Sequence, residues 1–576
     1  MKTAAWNQCS AQHLVDTLAH GGVRQAVISP GSRNTPLILA LEQQEPRVTT
    51  HVILDERTAA FFALGIARIT REPVVLCCTS GSAAAHYLPA VIEASESNLP
   101  LIVLSADRPP ELSDCGAPQT IDQNALYGTH VRWFANPGLV LDDESLQRIP
   151  TLAAQAIDQA TGAHPGPVHL NLPYREPLYD PDLDTEIKTH RLPTFRRGKV
   201  ELHPGDLNAL VERCTGRSGI IYCGQESPGL CADPRPFAEA VTSLAQSLGW
   251  PVLAEPTSQV RFGHHSLDHV IAHGDLLVRD QNFIAQMRPD VVLRFGGAPI
   301  SKPIRAWLGS LENTEQIAVS AAGEYKDPDH QLSSIYCADP TRFCEQWLGT
   351  LPETYEPART WSTWAAAEQA MDERLDSSDE LWEAGIARSL VDALPDGTLL
   401  QLGNSMPIRD VDAFAPRRNR NLRLICNRGA NGIDGTMASL FGAAASWQGG
   451  PIVGLMGDLT FLHDMGSLVP FHDVQQPITL VVVDNGGGGI FEHLPIQEHP
   501  SLFERCFLTP QTGQIEKLCA GLELTYRRVD EQEAFTTALR AELERPGISI
   551  LHVPIDRQAN LRMHRELWDS LSGGSR

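Results

Sequence analysis

Asp458 and Asn485 stand one crossover apart in the run GDLTFLHDMGSLVPFHDVQQPITLVVVDNGGGGIF, from Gly457 to Phe491. Asp458 ends one apolar run, PIVGLM, and Asn485 follows another, ITLVVVD, so the interval accommodates one crossover helix between two parallel strands. Both oxygen ligands then lie at the same sheet edge. A carboxylate, a side-chain amide and a glycine-rich turn with exposed carbonyls suit a hard octahedral cation that keeps some positions for phosphate oxygens. The run therefore predicts Mg2+ holding a diphosphate. An ordinary βαβ unit, with an Asp capping a helix and glycines that only turn, fits the same letters, so the rest of the chain has to separate the two.

Glu56 follows the strand-like THVILD and opens a run of small and apolar residues, RTAAFFALGIARIT. A carboxylate there is either a helix-terminus charge, stabilising by roughly 0.3 to 1 kcal/mol, a partner of Arg57, or a functional acid. Cationic residues recur in glycine- and proline-shaped loops: Arg33 in SPGSRNTPL, Arg108 in SADRPPEL, Lys302 in GGAPISKPI, Arg409 in GNSMPIRD and Arg428 in NRGANGIDG. Each suits either a structural ion pair or a ligand carboxylate, which an Arg can bond bidentately. Together they favour an anionic small molecule. Ile433, held between glycines and Asp434 in the loop Arg428 to Gly435, is either core or an apolar wedge against a cofactor.

These residues need strand ends to hold them. From Ala11 to about Tyr179 the strand-like runs VRQAVISPG, THVILDE, PVVLCCTSG and LPLIVLSADRP alternate with amphipathic helical runs. Charged, proline-containing sequence from Glu176 to Val200 reads as a linker. A second set follows (SGIIYCG, WPVLAE, DVVLRFGG, EQIAVS), then a helical linker (TWSTWAAAEQAMDERL), then a third set: GTLLQLGNS, LRLICNRG, PIVGLMGD, ITLVVVDNG and ISILHVP. The pattern predicts an α/β fold of three doubly wound parallel-sheet domains, over residues 1–185, 200–350 and 375–576. Ligands in such sheets bind outside the C-terminal strand ends, where every residue named above falls.

Composition narrows the function classes. The chain has 576 residues and a net charge of -24, which argues against a nucleic-acid footprint because phosphate backbones need a cationic face. Twelve cysteines are scattered without a CxxC pair, and Cys77, Cys78 and Cys426 lie in or beside apolar runs as small hydrophobes. No HExxH or clustered His/Cys spacing points to zinc, and His264 beside His265 reads as loop surface. Neither a signal-like start nor a bilayer-length apolar run is present. The expectation is a cytoplasmic protein that works on small molecules, with neither nucleic acid nor membrane as partner.

Taken together, the segments resemble the thiamine diphosphate enzymes, whose metal motif is a Gly-Asp-x run followed by an Asn about one crossover later, with a Glu after a strand of the pyrimidine-binding domain. More narrowly, ISPGSRNTPL, DERTAAFFALGIAR, TSGSAAAHYLPAVIEA, SADRPPEL, GNSMPIRD, NRGANGIDG, MGDL and NGGGGIFEHLP are similar to the 2-succinyl-5-enolpyruvyl-6-hydroxy-3-cyclohexene-1-carboxylate synthase family of menaquinone biosynthesis, over nearly the whole chain. The resemblance implies pyrimidine-binding, central and diphosphate-binding domains in that order. It implies thiamine diphosphate and Mg2+ (or Mn2+ in its place) as cofactors, with Asp458, Asn485 and the Gly487 carbonyl on the metal. Gly457 and Leu459 would support the diphosphate, Ile433 would hold the cofactor bent, and Ile490 and Phe491 would lie near its rings. Glu56, the catalytic residue, would bond the aminopyrimidine nitrogen and favour the imino tautomer that removes the thiazolium C2 proton.

The implied reaction is decarboxylation of 2-oxoglutarate and conjugate addition of the resulting succinyl carbanion to isochorismate. Ser32, Arg33, Arg108, Gln119, Lys302, Ser405, Arg409 and Arg428 match positions that would hold the two substrates. A homodimer or homotetramer with active sites at the subunit interface is implied as well. Three departures stand out: GDL where the superfamily has GDG, Asp484 where relatives often have a second Asn, and Pro118 in a loop that commonly carries Asn. The first is usual for the narrower family; the other two bear on the geometry near Gln119 and the metal loop. Another carboligase of the superfamily, such as an acetolactate synthase, shares the metal and Glu features but would not need five strand-end cations. A non-enzymatic nucleotide-binding protein would have no reason to keep Glu56 alongside Asp458 and Asn485. An NAD-dependent oxidoreductase is weaker still, since no GxGxxG opens a helix after the first strand.

Overall fold

The computed structural model describes residues 2–183, 198–358, 360–376, 381–511 and 513–572, so residues 184–197 of the expected linker lie outside the described residues. Apolar runs become buried strands, and those strands form three six-stranded sheets in which every pairing is parallel. The first sheet contains β1 (Gln25–Ile28), β2 (Thr49–Val52), β3 (Val74–Cys78), β4 (Leu101–Asp107), β5 (Trp133–Ala135) and β6 (Val168–Pro173), in the order β2-β1-β3-β4-β6-β5. The second contains β7 (Gly219–Cys223), β8 (Val252–Ala254), β9 (Val270–Ile271), β10 (Val291–Phe295), β11 (Glu315–Ser320) and β12 (Leu332–Cys337), in the order β12-β11-β10-β7-β8-β9. The third contains β13 (Thr398–Leu402), β14 (Leu422–Ile425), β15 (Ile452–Gly457), β16 (Ile478–Asp484), β17 (Thr525–Arg528) and β18 (Ile548–Pro554), in the order β14-β13-β15-β16-β18-β17.

The first and third sheets repeat one topology, so each has its strand-order reversal beside its first strand, between β1 and β3 and between β13 and β15. That reversal parts the loops and leaves a crevice at the strand ends. Five strands are absent from the sequence reading: β6, buried between β4 and β5 but broken in its apolar run by His169 and Asn171, and the sheet edges β5, β9, β12 and β17, of which β5, β12 and β17 contain no fully buried residue. An edge strand half open to solvent needs no apolar run. None of the twelve cysteines is in a disulfide, and no described helix is long and apolar enough to cross a membrane.

The chain packs as two compact units. One comprises residues 1–197 with 427–447 and 464–471; the other comprises 198–426, 448–463 and 472–576. Inside the first, the helix Glu56–Thr70 starts at Asp55, whose carboxylate accepts the Thr58 amide at 3.0 Å, and ends at Arg71 in a left-handed conformation. Its small residues lie against those of the helix Thr436–Ala445. A Cβ at Gly442 would come within 1.9 Å of the Phe62 carbonyl, and one at Gly65 within 2.0 Å of the Ser439 carbonyl. Backbone meets backbone there. Gly442→Val is therefore expected to destabilise by about 1–3 kcal/mol or more, read as a lower melting temperature; an unchanged melt would disprove the close approach.

Candidate active site

At the β1/β3 crevice of the first unit, the loops after β1, β3 and β4 interlock through side chains. The Arg33 amide donates to Thr79 Oγ1 at 3.3 Å, and a Cβ at Gly31 would strike Thr79 at 2.4 Å. Gln123 accepts the Gly81 amide at 2.8 Å and donates to Asn171, which in turn donates to Asp107 at 2.7 Å. This buried polar seam sets the crevice shape. Onto it the structure brings Arg108, whose guanidinium donates to Ser80 Oγ, and Gln119, which donates to the Ser80 carbonyl at 3.0 Å from a left-handed backbone.

Arg33 is buried and donates to the Tyr174 carbonyl at 3.0 Å and to Glu176 at 2.8 Å, so it is held in a structural ion pair, with Nε left unpartnered. Burial first, and then the positive charge of Arg33, push the Arg108 guanidinium below its ordinary value. Crowded cations of this kind favour an anionic ligand. Ser32 is exposed at the mouth of the same loop.

Glu56 is the first residue of its helix and half-buried, so a helix-terminus charge and a functional acid are both compatible with its position. Val52 and Leu54, just before it, are 64% and 79% exposed. The loop from Arg428 to Gly435 packs within the same unit because Glu93, buried and paired to Arg68 at 2.9 Å, accepts the amides of Gly429 at 2.9 Å and Ala430 at 2.7 Å. Arg428 and Ile433 are half-buried there. Asp464 accepts the amides of Met437 and Ala438 at the start of the next helix, which fixes the far end of the loop. Glu93 and Asp464 were missed from sequence. The one signal for Glu93 is an acid following the apolar stretch LPAVI at the start of its helix.

In the second unit, Ser405 and Arg409 follow β13, Asp458 follows β15, and Asn485 follows β16, so three neighbouring strand tips carry them. Ser405 has φ +77°, and Arg409 donates to its carbonyl at 2.5 Å. Lys302 is exposed at the start of the helix Lys302–Gly309, beyond β10 and beside the β7/β10 reversal of the second sheet. Leu459, Ile490 and Phe491 are half-buried, and the Phe491 ring meets Phe507 with centroids 5.6 Å apart.

Asp458 is 3% exposed at the end of β15, and the half-buried Gly457 precedes it. Burial, and secondarily the Asp484 carboxylate, push its carboxyl up to about 7. Asp484 is held low by His552, which bonds it at 2.9 Å, against the effect of its own burial. That assigns a role to the residue that replaces the expected Asn. Gly487 has φ +135°, and a Cβ there would lie 2.2 Å from the Leu508 carbonyl, so only glycine fits this turn.

Two buried acceptors, Asp458 Oδ2 and Asn485 Oδ1, lack a hydrogen-bond partner. A hard cation resolves both, and the oxygen-only donor set, with backbone carbonyls in the turn, fits Mg2+ or Mn2+. The residues present therefore fit a metal and diphosphate.

Comparison with known proteins agrees with this geometry. Residues 10–126 match the N-terminal TPP binding domain of the thiamine pyrophosphate enzymes, 217–402 the middle domain, and 412–553 the C-terminal TPP binding domain. A protein of Geobacillus kaustophilus (strain HTA426) is 40% identical over 98% of this chain and 97% of its own. Proteins of Bacillus pumilus (strain SAFR-032), at 38% over 97% and 96%, and Listeria monocytogenes serotype 4b (strain F2365), at 36% over 96% of each, are also similar. All three carry the name 2-succinyl-5-enolpyruvyl-6-hydroxy-3-cyclohexene-1-carboxylate synthase.

A carboxyl whose folded value lies near 7 rather than 3.8 costs stability when ionised at pH 8. Asp458→Asn removes that cost and one of the two unpartnered acceptors together. The variant is expected to melt no lower than the parent at pH 8, yet to lose the rise in melting temperature that Mg2+ and thiamine diphosphate give the parent. A retained rise would remove Asp458 from the site.

Proposed function

The chain belongs to the 2-succinyl-5-enolpyruvyl-6-hydroxy-3-cyclohexene-1-carboxylate synthase family of thiamine pyrophosphate enzymes, and from that premise we propose that it decarboxylates 2-oxoglutarate and joins the succinyl unit to isochorismate in menaquinone biosynthesis. The observation that carries the reading is the pair of unpartnered buried oxygens on Asp458 and Asn485. A buried acceptor left unsatisfied costs roughly 1–3 kcal/mol, and a bound cation relieves it.

In this reading Asp458, Asn485 and the Gly487 carbonyl hold Mg2+ or Mn2+, while the backbone around Gly457 and Leu459 supports the diphosphate. Ile433, Ile490 and Phe491 give the coenzyme apolar surfaces. When bound, thiamine diphosphate supplies the electron sink for carbon dioxide loss and for the new carbon–carbon bond. Glu56, the first residue of its helix, would hydrogen-bond the aminopyrimidine nitrogen through its carboxyl group. Ser32, Arg108, Gln119 and Arg428 in the first unit, and Lys302, Ser405 and Arg409 in the second, are the groups proposed for substrate carboxylates, with Arg33 held beside Arg108 by its ion pair to Glu176. The crowding of Arg108 against Arg33 supports anionic substrates.

The proposed assembly is a homodimer or homotetramer with active sites at the subunit interface, supported by the exposed apolar side chains of Val52 and Leu54 next to Glu56. Free thiols fit a reducing cytoplasm.

Purified protein with Mg2+ and thiamine diphosphate is expected to release carbon dioxide from 2-oxoglutarate in the presence of isochorismate; faster turnover of pyruvate would overturn the substrate assignment. Glu56→Gln is expected to keep Mg2+-dependent coenzyme binding while kcat falls by about 100-fold or more, and an unchanged kcat would free Glu56 of its role. Leu54→Asp is expected to shift sedimentation toward the monomer, against the interface if the parent assembly persists.

A further inference from the structure

Behind Asn485 lies a buried clamp assembled from two distant helices. Asn485 Nδ2 donates to Glu383 Oε1 at 2.7 Å. Asn560 Nδ2 donates to Glu383 Oε2 at 2.8 Å, and the Glu383 amide donates back to Asn560 Oδ1 at 3.1 Å. Glu383 opens the helix Glu383–Ala393, Asn560 lies in the helix Arg557–Leu571, and the two are only 5% and 6% exposed. Steric room is equally tight, because a Cβ at Gly489 would lie 2.6 Å from Asn485 Nδ2.

An amide can present either its oxygen or its nitrogen in nearly the same space, and only its hydrogen bonds decide which. Here both Glu383 oxygens face amide NH2 groups. If Asn485 inverted, its oxygen would meet Glu383 Oε1, acceptor against acceptor, and its NH2 would point where Oδ1 now lies unpartnered. Glu383 also falls in a cluster with Asp410 and His564 whose ligating atoms lie within 4.8 Å of one another. That cluster is no cation site of its own, since both Glu383 oxygens are taken and His564 Nδ1 bonds the Asn560 carbonyl at 2.9 Å.

We propose that Glu383, itself oriented by Asn560, is a positioning residue that locks the Asn485 amide with Oδ1 turned toward the cation. The inference rests on the reading that Asp458 and Asn485 hold that cation. Outer-shell partners of this kind typically change metal affinity by about 10–100-fold when lost.

The test is Mn2+ affinity by electron paramagnetic resonance in the presence of thiamine diphosphate, with no turnover required. Glu383→Gln is close in shape but has one acceptor where two are needed. Its NH2 then faces Asn485 and favours the inverted amide, so binding is expected to weaken by about tenfold or more. Adding Asn560→Asp supplies a carboxylate to which the substituted side chain can donate, and its one carbonyl oxygen is then free to accept from Asn485 again. The double variant is expected to recover to within about threefold of the parent. Parent-like binding in the single variant, or no recovery in the double, overturns the clamp. Should Glu383→Gln fold poorly, Asn560→Ser, which leaves Glu383 free to turn, is read in the same way. If the parent shows no coenzyme-dependent Mn2+ binding, or Asp458→Asn keeps it, the cation reading itself fails and takes the clamp with it.

Discussion

A carboxyl group buried at a strand tip beside a second acid is the constraint from which the rest of the proposed site follows. Asp458 sits at the end of β15 with Asp484 at the end of the adjacent β16, and burial together with that neighbour pushes the Asp458 carboxyl up to about 7. No protein cation in the described residues answers it with an ion pair. The arrangement is costly as it stands, and in the proposed reading a divalent cation would supply the missing charge. His552 takes the second oxygen of Asp484, so Asp458 alone remains for a ligand.

The surrounding scaffold converts that local need into a shaped site. The parallel strands β15 and β16 bring Asp458 and Asn485 to adjoining tips, and the strand-order reversal at β13 lies beside them, where Ser405 and Arg409 follow. The same topology recurs in the first sheet, where Arg33 is held by Tyr174 and Glu176 and Arg108 by Ser80, beside the polar seam of Asp107, Asn171 and Gln123. The two crevices carry complementary chemistry: acceptors for a cation in one, and concentrated positive charge for an anion in the other.

Chain connectivity and packing follow different boundaries. Residues 427–447 follow a strand of the third sheet in sequence but pack with the first unit, through Glu93 on the loop and through the close approach of Gly65 and Gly442 between helices. The loop that carries Arg428 and Ile433 is thereby fixed by residues more than 300 positions earlier, as the Glu93 to Gly429 bond illustrates. Such bonds have no local sequence signature. They arise because a buried acid must find donors wherever the fold brings them.

The sequence alone determined the α/β class, most of the buried strands and the strand-end placement of Asp458, Asn485, Glu56 and the loop cations, because apolar runs with alternating helical segments specify parallel sheets and parallel sheets put their functional loops at one edge. Edge strands such as β12 and β17 were not legible, since solvent on one side removes the apolar pattern that marks a strand. Only the tertiary structure decided that Arg33 is tied to Glu176, that Glu93 and Asp464 anchor the Arg428 to Gly435 loop, and that Asn485 leans on Glu383 and Asn560. Each of these is a hydrogen bond between residues far apart in the chain. Propensity and spacing act within a few turns, whereas the partner of a buried polar atom is chosen by whatever the folded core places within about 3 Å of it.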